Sequence, residues 1–525
     1  MLSKNDVKHI LEQRFSSDIH KKMSDIPLPC ELKDIYKAAT RIKIAIENNE
    51  KIVIVGDYDV DGVVSSVIVS DFFDFLGVNY ETKIPNRFTD GYGLNPQMLT
   101  NIKANLIITV DNGISANEAA EICLKKGIDL IITDHHVPPP ILPKAYAIVN
   151  PKQSDCTFPT CEICGAEVAW YLIGALKEVC GVKYDMGSFL DMLCMAIIAD
   201  MMELRDINRI IVKNGLTRLN NSKRACFNAI KTYFSKDEFK FDDISFLIDP
   251  LINSAGRMND AMFSYKFLKS KNIDEALHFL DEIINFNNSR KEEEKNLLEN
   301  SLSDINQNDN IIVVWGENWH EGVIGIVASR LTKKYKKPAI VFSIDGNRAK
   351  GSARSVGKFN ILDLISTQKD ILCTFGGHKG AAGLVIESFN LDTFKERIND
   401  ACEKYDMDIF HNANEVLGLL DHNDIDYELL EILEHFEPYG QKNPRPYFRI
   451  NNAFVKNIKK IGKVKNHLKI IIQLDNKSYE VLFYNYTFCP KVGEYIDIIF
   501  SISKNYFRGV ITPQLLVVDI KPSIN

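Results

Sequence analysis

The stretch "VGDYDVDGVVSS", from Val55 to Ser66, sets three aspartates at every second position directly after the apolar run "KIVIV". The apolar run is typical of a buried strand ending near Gly56, and "GVVSSVIVSDFFDFLG" is typical of an apolar helix. Asp57, Asp59 and Asp61 are therefore predicted on a strand-to-helix turn, where open α/β sheets bind ligands. Because side chains two apart on an extended chain point the same way, at least two carboxylates should crowd together and repel unless a cation separates them.

The arrangement of an apolar run followed by aspartate occurs twice more. "NLIITVDNG" places Asp111 after one run, and "DLIITDHH" places Asp134, His135 and His136 after another. Short buried strands that alternate with helical segments predict βαβ units and a parallel sheet buried on both faces. Asp200 ends the apolar segment "MLCMAIIAD". An aspartate at a strand end is often only a helix N-cap, but several of them with two histidines favour one site at a sheet edge.

The clustered carboxylates predict bound cations. Several acids within a few ångströms do not all stay ionised without positive charge between them. Oxygen ligands with one or two imidazoles favour Mn²⁺ or Mg²⁺ over structural zinc. Two such ions, about 3.5–4 Å apart, would polarise a phosphoryl group and activate water. The residues alone therefore predict a two-metal phosphoesterase site.

Length and charge indicate several units of different character. The 525 residues predict roughly three or four units, and 45% hydrophobic and 25% charged content is typical of a soluble globular protein. The net charge of −7 argues against a nucleic-acid partner. However, Pro438–Asn525 has fourteen Lys and Arg against five Asp and Glu, which leaves −16 on the rest of the chain. Such a cationic module suits a phosphate backbone, and a solvated lysine face is the competing explanation.

The cysteines and the amino-terminal residues predict a cytoplasmic protein. The eleven cysteines are scattered, several within apolar helical patterns, as expected of reduced thiols. Cys156, Cys161 and Cys164 are interpreted as free loop cysteines, because a zinc site would need a fourth ligand. Charges in "MLSKNDVKHILEQRF" argue against a signal peptide, and no apolar run has the length of a membrane span.

Patterns further along the chain predict the remaining elements. Helical patterns cover about Gly165–Leu219, and "IDEALHFLDEIINFNNSRKEEEKNLLENSLSDINQ" predicts a long connecting helix. A second α/β unit begins at "NIIVVW". Strand-like runs separated by turns, from Tyr447 to the end, predict a small β-barrel.

A series of short motifs resembles one superfamily. "DYDVDG", "VDNG", "TDHH" and "IIADMMEL" are similar to the four successive motifs of the DHH phosphoesterase superfamily. "LINSAGRMNDA", "WHEGVIGIVASRL", "KGSARS", "FGGHKGAAGLVI" and "EPYGQKNPRPYF" resemble the RecJ family, which are single-strand-specific 5′→3′ DNA exonucleases. Each motif is weak alone, whereas their order along nearly the whole chain is specific.

The resemblance implies an α/β fold. A parallel-sheet DHH domain and an α/β DHH-associated domain would be joined by a long helix, with a C-terminal β-barrel of the OB-fold type. The expected divisions are an N-terminal extension over 1–45, the DHH domain over 46–270, the connecting helix over 271–308, the DHH-associated domain over 309–405, a linker over 406–436 and the OB-fold over 437–525.

The resemblance also implies a set of metal ligands. These are Asp59, Asp61, Asp111, His135 and Asp200. Asp111 is expected to bridge the two ions, and Asp57 to be a ligand or to lie beside the ligands. His136 is expected to face the scissile phosphate, and Asp134 to orient an imidazole. Such a site would hydrolyse a phosphodiester in line, with one ion stabilising the leaving 3′-oxygen.

Contacts to the substrate are implied in three other places. Arg257, helped by Asn253, is expected to neutralise charge on the phosphate, and a surface ion pair is the competing role. The residues expected at a 5′-terminal phosphate are Arg87, Ser352, Arg354, Ser355, Gly376, Gly377 and His378. The barrel residues expected to bind nucleic acid are Tyr439, Lys442, Arg445 and Tyr447. His320 is expected either to contact substrate or to cap the following helix, and Phe448 to lie in the barrel core.

The sequence thus predicts a metal-dependent exonuclease that degrades single-stranded DNA 5′→3′ to 5′-mononucleotides in DNA repair and recombination. Its expected partners are single-stranded DNA with a free 5′ end, single-strand-binding protein and a helicase, with no membrane. The alternative is a DHH phosphodiesterase of short oligonucleotides or cyclic dinucleotides, which would not need the basic barrel. A non-enzymatic scaffold is disfavoured because every expected carboxylate is present. Glu167 stands where family members commonly have a small residue, so helix packing there is left open.

Overall fold

The protein is described by a computed structural model over residues 1–306, 308–405, 410, 416–462, 464–507 and 510–523. The chain divides into two compact units. The larger comprises Pro27–Met202 and Asn214–Asn412, and the smaller comprises Met1–Ile26, Glu203–Lys213 and Ala413–Asn525. Parts of the expected linker and barrel, residues 406–409, 411–415, 463, 508, 509, 524 and 525, lie outside the described residues.

The first sheet of the larger unit is parallel throughout, in the order β2-β1-β3-β4-β5. Its strands are β1 (Ile52–Val55), β2 (Tyr80–Lys83), β3 (Leu106–Val110), β4 (Asp129–Thr133) and β5 (Ala147–Val149). β1 and β3 are buried along their whole length, because helices cover both faces of the sheet. The predicted parallel sheet is confirmed, and its central strands bring their carboxyl ends to one edge.

A series of helices accompanies this sheet in the first part of the unit. They are α2 (Ile35–Glu47), α3 (Val60–Leu76), α4 (Asn117–Lys125), α5 (Gly165–Cys180), α6 (Leu190–Ala199), α7 (Asp206–Asn220), α8 (Ala225–Phe234), α9 (Phe241–Asp243), α10 (Asp249–Met258) and α11 (Met262–Leu268). Helix α7 begins in the smaller unit, and a π-helical turn, Ile244–Ile248, precedes α10. Helix α3 is buried on nearly all sides between α5, α6 and the sheet, which explains its continuous apolar sequence.

The long helix predicted from the polar, charge-rich segment is present as α12 (Ile273–Ser301), which has 29 residues. The Asn272 side chain caps its first turn by accepting a hydrogen bond from Glu275 N. Only a narrow stripe of the helix is buried, so its polar sequence is that of an exposed connecting helix.

The second sheet of the larger unit is mixed, in the order β6-β7-β8-β10-β9. Its strands are β6 (Ile312–Glu317), β7 (Ala339–Asp345), β8 (Arg348–Arg354), β9 (Leu372–His378) and β10 (Ala381–Glu387). Only the β6–β7 pair is parallel. Helices α13 (Glu321–Tyr335), α14 (Ile361–Ser366) and α15 (Leu391–Cys402) complete this layer. The ends of β8 and β9 lie close together, since Arg354 and His378 both pair with Ala381 of β10.

The smaller unit is built around a closed barrel of five strands. They are β12 (Tyr447–Ile461), β13 (His467–Leu474), β14 (Lys477–Phe483), β15 (Tyr495–Phe507) and β16 (Val510–Pro522), closed by pairing of β12 with β15. Strand β11 (Val416–Leu419) adds in parallel to β12, and helices α1 (Lys4–Arg14) and α16 (Tyr427–His435) pack on the barrel. Phe448 is fully buried, as predicted. The predicted fold class is therefore confirmed in both units.

Two further expectations concern the chain as a whole. All eleven cysteines are free thiols, with Cys164 buried and Cys161 exposed. Across the described residues, we find no helix with both the length and the apolar character needed to cross a membrane.

Candidate active site

The first aspartates are fixed by the start of α3. Asp59 is the N-cap of this helix and accepts a hydrogen bond from Gly62 N at 3.1 Å. Asp61 lies in the first turn, 2% exposed, and its two oxygens accept hydrogen bonds from Gly165 N at 2.6 Å and Ala166 N at 2.8 Å. The N-terminus of α5 therefore holds the Asp61 carboxylate in place.

Asp111 follows β3 in an unusual backbone conformation. Its φ of 61° lies in the left-handed region, which costs a non-glycine residue roughly 1–2 kcal/mol. Asn112, which sequence reasoning missed, fixes the turn by donating to the carbonyls of Val55 and Val110 at 3.0 and 2.9 Å. A Cβ on Gly165 would lie 2.4 Å from Asp111 Oδ1, so glycine is required where α5 meets this carboxylate. The signal for Gly165 was present only as a glycine at a helix start.

His135 joins the carboxylates into one cluster. Its Nε2 lies 3.3 Å from Asp111 Oδ1, 3.6 Å from Asp200 Oδ2 and 3.7 Å from Asp61 Oδ2. Asp200 reaches the cluster from the C-terminal end of helix α6 and not from a strand. The helix therefore supplies a ligand that the parallel sheet alone does not position.

The cluster forms three overlapping groups with metal-binding geometry. In each group, ligand atoms from three residues lie within 4.8 Å of one another: Asp57, Asp59 and Asp111; Asp61, His135 and Asp200; Asp111, His135 and His136. Asp111 belongs to two of the groups, which agrees with its predicted bridging position. All six residues predicted as metal ligands are thus brought together, although their ligand roles remain predictions.

The electrostatics of the cluster fit two divalent cations. Burial and the neighbouring carboxylates hold the pKa values of Asp57 and Asp111 well above their usual range. The same causes raise the pKa of Asp61 to about 6 and that of Asp200 to about 7. Asp111 Oδ1 is buried and accepts no hydrogen bond from the described residues. Cations at this position would supply the missing partners, and oxygen-rich donors suit Mn²⁺ or Mg²⁺.

The two adjacent histidines have different environments. Burial lowers the pKa of His135, so this imidazole is neutral and able to bind a cation. His136 Nδ1 lies 2.7 Å from Asp134 Oδ1, and this partner raises the pKa of His136 to about 9 against the opposing effect of burial. Asp134 also accepts hydrogen bonds from the backbone N–H groups of both histidines and of Ile114. Asp134 therefore orients the charged imidazole, as predicted.

Three guanidinium groups lie near the cluster and near one another. Burial and the charges of Arg87 and Arg354 lower the pKa of Arg257 to about 10, and burial and Arg87 likewise lower the pKa of Arg354. Arg87 stacks on the Tyr58 ring at 4.1 Å, and its Nε has no hydrogen-bond partner among the described residues. Like charges held together in this way form a site for an anion. Asn253 lies one helical turn before Arg257 on α10, and its contact with the phosphate stays a prediction.

The second sheet has an open surface beside Arg354, formed by Gly376 and Gly383 and called the glycine floor below. Arg354 Nη1 donates to Ser352 Oγ at 3.0 Å, and His378 lies two strands away in the same register row. Two residues along β10, Gly383 pairs with Ser352 on one side and with Gly376 on the other, and a Cβ on either glycine would meet nothing within 4 Å. Gly383, which sequence reasoning missed, therefore widens the floor that Gly376 was predicted to open.

Some residues predicted to contact substrate have structural roles. Ser355 Oγ donates to the Phe359 carbonyl at 2.7 Å, so its hydroxyl closes a loop and its proton is not free for a phosphate. Gly377 has φ of +145°, and a Cβ there would lie 2.4 Å from Ala381 O, so it is required by the backbone. His320 is the N-cap of α13, with Nδ1 accepting from Gly322 N, which confirms the capping alternative.

Glu167 also has a structural role. It is fully buried in the first turn of α5, where Oε2 accepts a hydrogen bond from Cys164 N at 2.9 Å and completes a capping box. Burial raises the pKa of Glu167 to about 8. At this position α5 therefore accommodates a glutamate because the protonated Glu167 side chain caps the helix.

The barrel residues predicted to bind nucleic acid are not equivalent. Tyr439 is buried, and its hydroxyl donates to the Leu433 carbonyl at 2.6 Å, so the prediction that it stacks on bases is wrong. Arg445 lies over the Tyr439 ring at 5.5 Å, Lys442 is 3.6 Å from Glu203, and Tyr447 is half-buried at the start of β12. The last three stay predictions. The sequence did not show which tyrosine faces inward, because the turn before β12 hides the alternation.

An aromatic and basic patch lies elsewhere on the barrel. Tyr484 is 50% exposed and packs edge-on against His467, with ring centroids 5.1 Å apart. Lys460 Nζ lies 5.8 Å from the Tyr486 ring, and Lys459 stands directly opposite Lys469 across the β12–β13 pair. Lys469 Nζ already lies 2.6 Å from Glu480 Oε2, so this carboxylate reduces the repulsion between the two lysines. Exposed rings beside lysines suit a single strand of nucleic acid.

Comparison with known proteins matches three parts of the chain to family models. Residues 51–197 match the family model for the N-terminal domain of the DHH family, 308–404 match the DHHA1 domain and 418–519 match the RecJ OB domain. The single-stranded-DNA-specific exonuclease RecJ of Bacillus subtilis is 35% identical over 95% of this chain, which spans 65% of that relative's length. RecJ of Haemophilus influenzae is 31% identical over 97% of this chain and 94% of its own.

A solved structure shares the fold. RecJ of Thermus thermophilus in complex with Mn²⁺ superposes with a TM-score of 0.82 at 26% identity, covering 94% of this chain and 72% of that one. Fold, cluster and domain order define a DHH-type phosphoesterase. The chain belongs to the RecJ family.

Proposed function

We propose that this chain is a metal-dependent exonuclease that degrades single-stranded DNA 5′→3′ to 5′-mononucleotides, with a role in DNA repair and recombination. One observation carries the proposal: the buried acid and imidazole cluster lies beside three guanidinium groups whose charges repel one another. A phosphodiester placed between these two sets would meet a hydrolytic centre on one side and positive charge on the other.

Two Mn²⁺ or Mg²⁺ ions are the proposed cofactors. The predicted ligands would hold them: Asp57, Asp59, Asp61, Asp111, His135 and Asp200. When bound, two such ions activate water and neutralise charge on the phosphoryl oxygens. Relatives support this part of the proposal, since the Thermus thermophilus protein was solved in complex with Mn²⁺.

The chain's own residues would orient and neutralise the phosphate. Arg257 would contact a non-bridging oxygen, where its buried charge acts in a low dielectric. His136 holds its proton at neutral pH because Asp134 accepts from Nδ1, so Nε2–H faces away from that carboxylate. It would donate to a phosphate or leaving oxygen. Asn253 would assist from the same helix, α10.

Direction along the strand requires recognition of a terminal phosphate. Arg87, Arg354 and the Ser352 hydroxyl provide two guanidinium forks and a hydroxyl suited to a dianion. The glycine floor beside them leaves room for a sugar or base at Gly376. His378 borders this floor, and burial and Arg354 lower its pKa. Since Nδ1 accepts a hydrogen bond from Gly380 N, the neutral ring would act as a donor through Nε2–H.

The basic barrel would hold the rest of the strand. Lys442, Arg445 and Tyr447 remain proposed contacts, together with the patch at Tyr484 and Lys459. Single-strand-binding protein and a helicase are proposed partners in the same process, and a cytoplasmic location belongs to this proposal. Free cysteines throughout the chain agree with a reducing compartment.

A gel time course tests the function directly. The protein and Mn²⁺ are incubated with a 3′-labelled single strand some tens of nucleotides long, the matching duplex, and a strand with a blocked 5′ end. The proposal expects progressive shortening of the free single strand alone. Equal attack on the blocked strand would contradict the 5′→3′ assignment.

The alternative activity has a separate outcome in the same assay. If long strands persist while a 5′-phosphorylated dinucleotide or a cyclic dinucleotide disappears, the protein is a small-substrate phosphodiesterase. We favour the exonuclease because the cationic barrel would have no task in such an enzyme.

A further inference from the structure

Helix α13 begins at the group of guanidinium side chains. Its first turns present Gly322 and Gly325, which are three residues apart and share one face of the helix. Both glycines are buried. This face meets α10, which carries Arg257, and β8, which carries Arg354. The helix thus touches the elements that supply two of the three arginines.

Gly322 packs against backbone. A Cβ at this position would lie 2.0 Å from the carbonyl oxygen of Arg257, and Arg257 Nη1 donates to the Gly322 carbonyl at 3.3 Å. A side chain here would have to move the backbone of α10. The requirement for glycine at 322 is therefore explained by helix packing alone.

Gly325 packs against functional side-chain ends instead. A Cβ here would lie 2.8 Å from Arg354 Nη2 and 2.9 Å from Ser352 Oγ. These two groups also contact each other, since Arg354 Nη1 donates to Ser352 Oγ at 3.0 Å. Because both contacted atoms end flexible side chains, a methyl group at 325 would displace them while leaving the backbone in place.

We propose that Gly325 is a positioning residue for recognition of a 5′-terminal phosphate, holding the Arg354 guanidinium and the Ser352 hydroxyl in one fixed arrangement against the bare backbone of α13. This inference rests on the proposed function. The helix surface acts as a stop: the Arg354 side chain lies on it and turns towards Ser352 and the Ala353 carbonyl. A methyl group added at Gly325 would move the Arg354 guanidinium and the Ser352 hydroxyl, but it would not move the hydrolytic centre.

The test compares two substrates that differ only at the 5′ end. The kcat/KM values of the wild type and of Gly325→Ala are measured with Mn²⁺ on the same single strand carrying either a 5′-phosphate or a 5′-hydroxyl. We expect the wild type to prefer the phosphate, and the variant to lose about tenfold of that preference, the effect of one charge-assisted hydrogen bond. Activity on the 5′-hydroxyl strand should change little.

Two variants control for general effects on the helix. Alanine is a better helix former than glycine, so the melting temperature of Gly325→Ala should not fall. Lys333→Ala changes an exposed side chain in the last turn of the same helix and should keep the wild-type preference. The double variant, Gly325→Ala with Arg354→Ala, should lose little more of the 5′-phosphate preference than Arg354→Ala alone, because both substitutions act on the same contact.

Each remaining outcome bears on the inference separately from the proposed function. An unchanged preference in a folded Gly325→Ala variant, or equal losses on both strands, overturns the inference. A wild type that shortens single strands without any preference for the 5′-phosphate also overturns it and leaves the exonuclease standing. If the wild type cleaves only dinucleotides, the proposed function fails, and the comparison is made with 5′-phosphorylated and unphosphorylated dinucleotide.

Discussion

Asp111 joins a strained backbone to a crowded electrostatic environment. Asparagine tolerates the left-handed conformation, whereas alanine does so poorly. Asp111→Asn should therefore keep the fold but lose Mn²⁺ binding, and the hydrolysis rate should fall at least about 10³-fold, as for loss of a transition-state charge stabiliser. Calorimetric Mn²⁺ titration and the gel assay measure both effects.

The same substitution elsewhere provides the control for Asp111. Asp475 has φ of 49° and an exposed side chain, so Asp475→Asn repeats the chemical change at another left-handed aspartate. It should retain wild-type Mn²⁺ affinity and activity. Full Mn²⁺-dependent activity in Asp111→Asn would refute the metal-site assignment.

Glu167 makes stability depend on pH in an unusual direction. Its pKa is about 8 in the folded protein against 4.5 for the free side chain. Between these values the unfolded chain releases a proton that the folded protein keeps, so stability falls as pH rises. The Glu167→Gln variant does not titrate at this position, so its free energy of unfolding should exceed that of the wild type by a few kcal/mol at pH 8. The difference between the two proteins should disappear towards pH 4.5. Thermal unfolding in EDTA at both pH values measures it, and a gap independent of pH would count against a protonated cap.

Single residues differ in how far sequence predicts them. Asp57, Asp59 and Asp61 were predictable as a group because they lie on a strand-to-helix turn. The extended alternation expected for them is not present, since Asp61 lies in the first turn of α3. Ser355 and Tyr439 were not, since a hydroxyl's partner and a ring's direction depend on loops whose course no short pattern encodes. Gly165 was missed because its importance lies in contact with Asp111, which is distant in sequence.

Helix α5 acts as a wall of the site through its first residue. Gly165→Ala would place a methyl group 2.4–2.7 Å from the Asp111 side chain and displace this carboxylate. We expect a loss of activity of about 100-fold, consistent with a displacement of about 1 Å. The gel assay and Mn²⁺ affinity measure it.

A control for α5 lies in the same helix. Gly174→Ala adds the same methyl group 3.3 Å from the Pro29 ring, far along the helix from the carboxylates. It should leave activity unchanged. If both variants lose activity equally, general damage to α5 and not displacement of Asp111 is the cause.

Strand β10 offers a test in which folding is not at risk. Gly383 faces open space, and valine is favoured in strands, so Gly383→Val should not lower the melting temperature. Its branched side chain would fill the floor next to Gly376 and raise KM for single-stranded DNA by about tenfold, the cost of losing roughly 1.4 kcal/mol of binding. Thr374→Val, two residues before Gly376 on β9, serves as the control. An unchanged KM would show that substrate does not use this floor.

Elements were predicted best where periodicity is strong. The strands β1, β3 and β4 and the helices α3 and α12 follow directly from apolar runs and helical spacing. The helix that ends at Asp200 was predicted within the helical patterns of Gly165–Leu219. Its approach to the sheet edge was not predictable, because local spacing does not determine where α6 packs. The open glycine row of β9 and β10 depends on strand register, which the sequence does not specify.

The whole molecule separates charge between its parts, with a cationic barrel on an acidic chain. Single-stranded DNA affinity should therefore fall steeply with salt. Lys459→Gln removes one of two opposed lysines and should reduce the slope of log affinity against log salt by about 1. Fluorescence anisotropy with EDTA present measures binding without hydrolysis.

A lysine at the other end of the same strands tests whether position matters. Lys477 is the exposed first residue of β14, at the opposite end of this strand from Tyr484. Lys477→Gln should leave the salt slope unchanged. Equal effects of both substitutions would mean that net charge, and not a defined patch, attracts the strand.

The two ends of the chain share one folded unit, and this has a consequence during synthesis. Leu2 pairs beside Leu420, and Val7 and Leu11 of α1 lie in the barrel core. The ribosome therefore releases these apolar residues about four hundred residues before the strands that bury them. Until the barrel strands are synthesised, the apolar face of α1 has nothing to pack against, so a stalled chain exposes an aggregation-prone segment. A tag fused to Met1 would lie next to the Leu2–Leu420 bridge and so beside the edge of the barrel sheet.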